Sequence, residues 1–406
     1  MSRPVVAHLL PNYNPFPPIY PAGTELRVEQ VSFRQQRYRP VVICGAFHDQ
    51  PVTEERGAMG IRRIRIGRLY RRLFHKMTRL DPWPYTARMW EIARKEGAGL
   101  LHIHNEPKLL AGLARALARQ PVPVIVHIAN EKPFAPGTIH LVTRWVACSN
   151  YMAGWLTQQY GISASAVQVI YTGVNTADRE PWWELKPGRR TELRRRFGVE
   201  NDEEVVILFA GRIVKEKGLA ELLEAFRIVR SRTDRPVSLL IAGNIRESKD
   251  PNNIKAVYGK AMLDRIARQD GARWVGSLSP HEMHDFLAAG DLFVLPSTWD
   301  DPFPTVMLEA AAAGIPVLGS AKGGIIEFLG DCPGLPLIES PESPETWCGL
   351  LETMINDAGL RHSTGRFLRG KAEKDFDWRR VAAEFEALYD DILPGTAAES
   401  ALTGAK

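Results

Sequence analysis

The chain has 406 residues, of which 45% are hydrophobic and 24% are charged, and its formal net charge is +5. This composition is typical of a soluble globular protein, and the length allows two domains with sizeable cores. The sequence contains no run of about 18 apolar residues that would span a membrane. Its N-terminus lacks the pattern of a signal peptide.

The cysteines and the charge distribution narrow the class further. Four cysteines are scattered along the chain without a CxxC pair: Cys44, Cys148, Cys332 and Cys348. This spacing argues against a zinc site or a disulfide framework and favours a reducing cytoplasm. Residues 1–180 carry 23 Lys and Arg against 12 Asp and Glu, whereas the remainder carries 29 against 35. An anionic partner is therefore expected for the N-terminal half only.

Short apolar β-branched runs alternate with amphipathic helical patterns along the whole chain. The first half contains VVAHLL, RPVVICGA, GLLHIH, PVIVHI, RWVACS and VQVIYT, and the second half contains VVILFAG, VSLLIAG, RWVGSL, LFVLPS and PVLGS. Such alternation predicts two α/β domains, each a doubly wound parallel sheet that binds ligands at the carboxyl ends of its strands. The charged stretch 176–204 is the predicted boundary, and residues 394–406 are a predicted disordered tail.

The segment 61–80 lies within a stretch of unusual charge. Residues 56–80 contain nine Lys and Arg and no acid. Apolar residues recur from Ile66 to Leu80 at helical spacing, which predicts an amphipathic helix with a basic face. The cations in 61–80 form the predicted membrane or acceptor surface: Arg62, Arg63, Arg65, Arg68, Arg71, Arg72, Lys76 and Arg79. Basic amphipathic helices bind anionic membranes. A helix packed by its apolar stripe would show the same periodicity. No aromatic-interleaved motif indicates a nucleic-acid partner.

Two segments of the C-terminal half carry candidate chemistry. In LFAGRIVKEKGLAELL, a strand ends before Gly211, and Arg212 and Lys217 lie in the loop ahead of a helix. Cations at such a position make a phosphate site, although two solvated cations would give the same pattern. In DDPFPTVMLEAAAAGIPV, Asp301 and Glu309 flank a turn that feeds a helix starting near Thr305. A carboxylate one turn into that helix can accept hydrogen bonds from a ribose diol.

These motifs together resemble the retaining, nucleotide-sugar-dependent glycosyltransferases of family 4, which have the GT-B fold. GRIVKEKG is similar to the GR-x-x-x-EKG loop of that family. DDPFPTVMLEAAAAGIPV matches its E-x7-E segment, with Asp301 in place of the first Glu, and GGIIE matches GG-x-x-E. Looser likenesses are PAGTE, LLHIHN, VIVHIAN and YTGVN, and the similarity covers roughly residues 5–393.

The resemblance implies a domain plan. It implies two Rossmann-like domains facing across a cleft. Residues 1–180 would bind the acceptor and residues 181–375 the nucleotide sugar. A helix at 376–393 would cross back to the N-terminal domain.

The resemblance also implies a role for single residues. Arg212 and Lys217 would clamp the donor diphosphate, and Asp301 would bind hydroxyls of the donor sugar. Glu309 would hold the ribose. His127 would face the donor sugar or the acceptor hydroxyl, the alternative being a core histidine. The remaining donor-binding residues are the loop glycines Gly23 and Gly211, the backbone of Phe303 and Thr305, and Glu327, which could instead simply begin a helix.

The sequence therefore predicts a retaining hexosyltransferase that is cytoplasmic, or peripheral on the inner face of the cytoplasmic membrane. A UDP-sugar is the favoured donor and GDP-mannose the next. The expected acceptor is lipid-linked or anionic, such as a lipopolysaccharide core or a surface polysaccharide. No cofactor or metal is expected. The alternatives are transfer to a soluble small acceptor and a non-catalytic nucleotide-sugar-binding scaffold. An NAD-dependent oxidoreductase is excluded, because the sequence has no G-x-G-x-x-G after an early strand.

Overall fold

The structure is a computed structural model that describes residues 3–19, 22–47, 50–65, 73, 77, 85–246, 248, 250 and 252–393. The chain divides into two compact units. One combines the residues up to Thr172 with the segment that begins at Trp378, and the other runs from Gly173 to Asp377. The predicted tail, residues 394–406, lies outside the described residues. The four cysteines are all buried, and none of them forms a disulfide.

The first unit is built on an eight-stranded sheet in the order β3-β4-β2-β1-β5-β6-β7-β8. Its strands are β1 (Val5–Leu9), β2 (Arg39–Gly45), β3 (Thr53–Arg56), β4 (Met59–Ile64), β5 (Ala98–His104), β6 (Val124–Ile128), β7 (Arg144–Ala147) and β8 (Val167–Val169). All pairs are parallel except β3 with β4. The central strands are buried along nearly their whole length because helices cover both faces of a parallel sheet.

The helices of the first unit connect these strands. They are α1 (Gly23–Arg34), α2 (Tyr85–Lys95), α3 (Leu109–Arg119) and α4 (Asn150–Tyr160). Gly23, which the sequence places in a loop, is the first residue of α1. Ser149 caps α4 by accepting a hydrogen bond from the Met152 amide, and Gly161 ends the helix in the left-handed conformation.

The second unit is a five-stranded parallel sheet in the order β11-β10-β9-β12-β13. Its strands are β9 (Val205–Ala210), β10 (Val237–Ala242), β11 (Ala272–Gly276), β12 (Leu292–Leu295) and β13 (Val317–Gly319). Its helices are α5 (Arg189–Arg196), α6 (Leu219–Arg230), α7 (Ile254–Arg268), α8 (Pro280–Ala289), α9 (Thr305–Ala312), α10 (Ile325–Leu329), α11 (Pro344–Asn356) and α12 (Ala358–Asp375). The strand order reverses beside β9, so that the carboxyl ends of β9 and β12 are neighbours.

The last helix, α13 (Trp378–Ile392), belongs to the first unit although it follows the second in sequence. Its buried stripe, which includes Phe385 and Tyr389, packs against apolar residues of the first sheet. The Glu386 carboxylate accepts hydrogen bonds from the backbone amides of Gln36 and Arg37 at 2.6 and 2.7 Å. Each fully buried aromatic side chain contributes about 2 kcal/mol to this docking.

The predicted basic helix is wrong at its start. Residues 59–64 form strand β4, because Ile61 and Ile64 are buried beside β2. Arg62 pairs with Glu96 at 2.5 Å and with Glu55 at 2.6 Å. Arg63 is 2% exposed and pairs with Glu54 at 2.6 Å. These two cations are therefore neutralised by two acids of β3 and by Glu96, which directly follows α2, and are not part of an open basic face.

The rest of the predicted helix is described only in part. Arg65 is exposed, and its guanidinium donates to the Gln50 carbonyl at 3.4 Å. Leu73 and Met77, two members of the predicted apolar stripe, are helical and are 56% and 81% exposed. The other predicted cations lie outside the described residues: Arg68, Arg71, Arg72, Lys76 and Arg79. Within the described part of the chain, every helix is too short or too polar to cross a bilayer.

Candidate active site

The loop after β9 brings two cations to the carboxyl edge of the second sheet. β9 ends at Ala210, and the Gly211 amide donates to the Ala242 carbonyl at 3.1 Å. The Arg212 side chain is exposed and has no hydrogen-bond or ion-pair partner among the described residues. A single 3₁₀ turn, Lys215–Lys217, then leads into α6. This strand, loop and helix succession is the one that the sequence predicts.

Gly218 fixes the path of this loop. Its backbone has φ +69°, and a Cβ atom there would lie 1.7 Å from the Pro296 carbonyl oxygen. Only glycine adopts this conformation readily and allows the two backbones to approach so closely. The Thr298 amide also donates to the Glu216 carbonyl at 3.1 Å. The loop after β9 and the segment after β12 are therefore joined by backbone contact.

The cation of one motif meets the acid of the other. The Lys217 ammonium forms an ion pair and hydrogen bond with the Asp301 carboxylate. The Lys217 side chain is 16% exposed and the Asp301 side chain 8%. Such a shielded pair is screened less by water than a surface pair. The structure thus brings Lys217 and Asp301 together and leaves Arg212 free to meet a ligand.

A cavity of about 110 Å³ opens beside this pair. It is lined by Arg212, Val214, Glu216, Lys217, Lys255 and Trp299. Lys255 comes from α7 and pairs with Glu216 at 3.3 Å. The Trp299 indole nitrogen is buried and has no hydrogen-bond partner. Because an indole N–H can only donate, this atom and the three cations make the cavity suited to an anion.

A glycine pair supports the turn that carries Asp301. The Gly324 amide donates to the Asp301 carbonyl at 2.8 Å, and the Gly323 amide donates to the Asp300 carboxylate at 3.0 Å. A Cβ at Gly324 would lie 2.1 Å from the Pro302 carbonyl oxygen. The GG-x-x-E motif therefore packs directly on the turn. Glu327 lies in the first turn of α10, where the helix dipole favours an acid.

Helix α9 begins at Thr305 with Pro304 as its N-cap, where the sequence predicts it. Phe303 is 7% exposed, and its ring stacks on Phe376 at 5.9 Å between centroids. Glu309 lies one turn into α9, where its carboxylate is 3.8 Å from the Arg179 guanidinium. The pKa of Glu309 is raised, because the effect of burial is larger than the opposing effect of the Arg179 charge. A cation thus partners the acid that stands in this Ala-rich helix.

Comparison with known protein families shows what these motifs belong to. Residues 190–369 match the family described as Glycosyl transferases group 1, and residues 31–178 match Glycosyltransferase Family 4. A curated protein of Salmonella typhimurium, lipopolysaccharide 1,2-N-acetylglucosaminetransferase, is 31% identical over 338 residues, which are 80% of this chain and 81% of that protein. The chain is a family 4 glycosyltransferase. The predicted family and enzyme class are confirmed.

Solved structures show the fold of this glycosyltransferase. A sucrose-phosphate synthase from Thermosynechococcus elongatus superposes with a TM-score of 0.76 at 17% identity, covering 97% of this chain and 100% of the other. An Anabaena protein in complex with UDP and glucose gives a TM-score of 0.73 at 18% identity, covering 96% and 100%. The predicted GT-B fold, with two Rossmann-like α/β domains, is thereby confirmed.

The two site residues predicted in the first unit have different settings. Gly23 begins α1, and a Cβ there would have no neighbour within 4 Å, so no protein atom requires a glycine. His127 lies in β6 and is completely buried, and neither of its ring nitrogens has a hydrogen-bond partner. Burial lowers the pKa of His127 well below its usual value, with Arg27 and His102 adding to the effect.

His127 belongs to a cluster of four histidines in the glycosyltransferase. The parallel register pairs His8 with His102 and His104 with His127, which places all four on one face of the sheet. His8 Nδ1 lies 3.0 Å from His104 Nε2, and His102 Nδ1 lies 2.8 Å from the Tyr389 hydroxyl. Ligand atoms of His8, His102 and His104 lie within 4.8 Å of one another. The H-x-H alternation in LLHIHN could have indicated such a shared face.

Sequence reasoning missed Arg179, Lys255 and Trp299. Arg179 lies near the start of the second unit, and Lys255 lies on α7. Both are far in sequence from their partners, Glu309 and Glu216. Trp299 directly precedes the segment DDPFPTVMLEAAAAGIPV and lies two residues before Asp301. Its side-chain N–H is the one feature of the three that the sequence could have indicated, because an indole beside a phosphate loop is a candidate donor.

Proposed function

We propose that this glycosyltransferase transfers a hexose-type sugar from a nucleotide-diphosphate sugar to a lipid-linked or anionic glycan, with retention of the anomeric configuration. A UDP-sugar is the first donor candidate and GDP-mannose the second. The acceptor class is a lipopolysaccharide core or a related surface polysaccharide. The name of the Salmonella relative supports both the acceptor class and N-acetylglucosamine as a sugar to test early. The Anabaena neighbour with UDP and glucose supports testing UDP first.

The observation that carries the donor proposal is the cavity lined by Arg212 and Lys217. Three cations, the Glu216 carboxylate that pairs with one of them, and Trp299 with its unpartnered indole N–H line a volume of about 110 Å³. We propose that the donor diphosphate binds there, with Arg212 and Lys217 as its principal contacts. The positive charge would stabilise the diphosphate as it leaves, which is the largest source of catalysis expected in such a site. Glu309 would hold the ribose, and Asp301 would orient the donor sugar.

The retaining step needs no protein nucleophile in this proposal. The bond between the anomeric carbon and the diphosphate oxygen breaks, and the acceptor hydroxyl attacks from the same face. The departing diphosphate oxygen takes the proton of that hydroxyl. No metal is included, because the protein's own cations face the diphosphate. Undiminished turnover in EDTA is the expected result, and loss of turnover that Mg²⁺ restores would contradict this part.

Calorimetric titration of the purified protein with UDP, GDP and ADP tests the donor proposal. Binding in the micromolar range corresponds to about 8 kcal/mol. We expect one nucleotide to bind in this range and the double variant Arg212→Ala/Lys217→Ala to lose most of the affinity. Equal affinity in the double variant would refute the role of the loop. The matched control is Arg189→Ala/Lys186→Ala, which removes two cations from another part of the same unit.

The predicted contact with an anionic membrane surface remains part of the proposal in reduced form. Arg62 and Arg63 are withdrawn from it, because both are paired within the first unit. Arg65, Leu73 and Met77 are exposed as such a contact requires. Sedimentation with phosphatidylglycerol vesicles is expected to capture the protein at low salt and to release it at high salt. Binding that is equal on neutral vesicles would contradict the electrostatic contact.

A further inference from the structure

The acid of α9, Glu309, forms no hydrogen bond through its carboxylate within the described part of the chain. Its side chain is 19% exposed, and its neighbours Leu308 and Ala310 are buried. Among the described residues, its ion-pair partner is the Arg179 guanidinium at 3.8 Å. This distance compensates the charge but exceeds that of a hydrogen bond. A shielded carboxylate that receives no donor from the protein is suited to a ligand that supplies one.

The backbone of Arg179 is fastened to the C-terminal end of α9. Arg369 of α12 donates to the Arg179 carbonyl at 2.7 Å and also to the carbonyl of Ala312, the last residue of α9. The Trp182 amide, three residues after Arg179, donates to the Ala313 carbonyl at 3.0 Å. None of these hydrogen bonds uses the Arg179 guanidinium. The backbone alone therefore places this residue beside α9.

The Arg179 guanidinium acts through its charge. It donates no hydrogen bond among the described residues, and its Nη1 atom is buried without a partner. Burial raises the pKa of Glu309, and the charge of Arg179 is the effect that opposes this rise. Arg179 therefore favours the ionised form of Glu309 while leaving both carboxylate oxygens open to other donors.

We propose that Arg179 is a positioning residue for the donor, which keeps Glu309 ionised and available to the hydroxyls of the donor ribose. This inference rests on the proposed function, which assigns Glu309 to the ribose, and adds the residue on which the strength of that contact depends. A hydrogen bond to an ionised acceptor is roughly twice as strong as one between neutral groups. A hydrogen-bonded ion pair would instead occupy the oxygens that the ribose needs.

No other charge of the described elements around α9 replaces Arg179. Helices α8 and α12 and strands β12 and β13 pack against α9. The two strands carry no titratable side chain. The groups of the two helices that lie towards Arg179 are neutral or engaged elsewhere. Burial, the largest cause, lowers the pKa of His284 to about 4, so that its ring is neutral. Asp285 pairs with Arg196 at 2.8 Å, and Arg369 pairs with Glu373 at 2.6 Å.

Calorimetric titration with UDP and with 2′-deoxy-UDP tests the inference, with GDP and 2′-deoxy-GDP in their place if GDP is the nucleotide that binds. We expect the unmodified protein to prefer UDP by roughly tenfold, the value of a hydrogen bond to a charged group. Arg179→Gln should lose most of this preference at about pH 6 and regain it towards about pH 8.5, because the Glu309 carboxyl then ionises. The ratio of the two affinities excludes the titration of the diphosphate, which both probes share.

Two variants control for the loss of an arginine. Arg179→Lys retains the charge and should keep most of the preference for UDP. Arg265→Gln breaks an ion pair with Glu224 elsewhere in the second unit and should keep the preference at every pH. A merely structural role of Arg179 would lower the affinity for both nucleotides by the same factor and would not make their ratio depend on pH.

The outcomes separate this inference from the donor proposal. Arg212→Ala/Lys217→Ala tests the donor proposal and should weaken both nucleotides while keeping their ratio. An unchanged, pH-independent ratio in Arg179→Gln overturns the inference and leaves the donor proposal standing. Equal binding of the two nucleotides by the unmodified protein also overturns it, because there is then no ribose contact to support.

The variant Glu309→Gln provides a second decision that does not leave a shielded carboxylate without its counter-charge. In this background, adding Arg179→Gln should change neither the ratio nor the affinity for UDP, because Arg179 acts through Glu309. This comparison decides the inference if Arg179→Gln alone does not fold. A further loss of UDP affinity in the double variant would show that Arg179 contacts the nucleotide itself and would overturn the positioning role.

Discussion

Lys217 and Asp301, 84 residues apart in the chain, form an ion pair that joins the loop after β9 to the turn before α9. Asp301 occupies the position where the family pattern has Glu, and its shorter side chain is engaged by the cation of the other motif. The charge of Lys217 is therefore shared inside the protein. Among the described residues, Arg212 and Lys215 are the cations of this loop without an ion-pair partner.

Breaking this pair should destabilise the second unit. Asp301→Asn leaves the ammonium of Lys217 without a counter-charge where water is mostly excluded, and the expected loss is roughly 2–4 kcal/mol in the free energy of unfolding. Urea unfolding measures it. Asp331→Asn is the matched control, because Asp331 pairs with Lys371 but is 64% exposed. That substitution should cost under about 1 kcal/mol. Equal losses in the two variants would show that the burial of the Lys217 pair is unimportant.

Gly218→Ala should displace the phosphate loop. Its Cβ would meet the Pro296 carbonyl at 1.7 Å, which adds a collision to the cost of a left-handed alanine, about 1 kcal/mol. Gly188→Ala isolates that second cost, because Gly188 has φ +79° and no atom within 4 Å of its Cβ position. In calorimetry, we expect Gly218→Ala to lose nucleotide affinity and Gly188→Ala to keep it. Full affinity in this variant would mean that the loop does not need the close approach.

Trp299 and Lys255 should each contribute to nucleotide affinity. Trp299→Phe removes the unpartnered N–H and little else, and a lost hydrogen bond to a charged ligand weakens binding by roughly tenfold or more. Lys255→Ala should have a smaller effect, since its side chain is 48% exposed and paired with Glu216. Lys260→Ala, an exposed lysine of the same helix, is the control. Unchanged calorimetric affinity in Trp299→Phe would remove the indole from the donor site.

The histidine cluster should make the protein less stable in acid. Burial lowers the pKa of His8 to about 4, against an ordinary value of 6.5. Between these values the unfolded chain binds a proton that the folded chain refuses, so stability falls as the pH drops from 6.5 towards 4. His8 alone accounts for roughly 3 kcal/mol at the lower limit.

The check is thermal or urea unfolding at pH 7 and pH 4.5. The difference between the two pH values should shrink in His8→Gln. It should persist in His140→Gln, because His140 is exposed in the 3₁₀ turn after β6. A pH dependence that is the same in both variants would show that His8 is not a source of the acid sensitivity.

Much of the fold could be predicted because it is written in local pattern. The run VVILFAG predicts a buried strand, and β9 covers Val205–Ala210. The helix predicted to begin near Thr305 begins there, because Pro304 ends the preceding extended backbone. The prediction of a basic helix at 61–64 was wrong for a physical reason. Its cations appear unbalanced within a window of 25 residues, but Glu96, which neutralises Arg62, lies 34 residues further along the chain.

The sequence by itself determined the parallel α/β architecture, the family and the two motif loops, because strand periodicity and turn glycines act over short stretches of chain. Tertiary structure alone decided that Lys217 meets Asp301, that Arg179 meets Glu309, and that four histidines share a buried face of the first sheet. Those relationships depend on sheet order and register, which bring together residues that are far apart along the chain. The sequence around each residue does not indicate which partner it meets. The pKa shifts follow from the same cause, since burial is a property of the folded protein and not of the sequence around a residue.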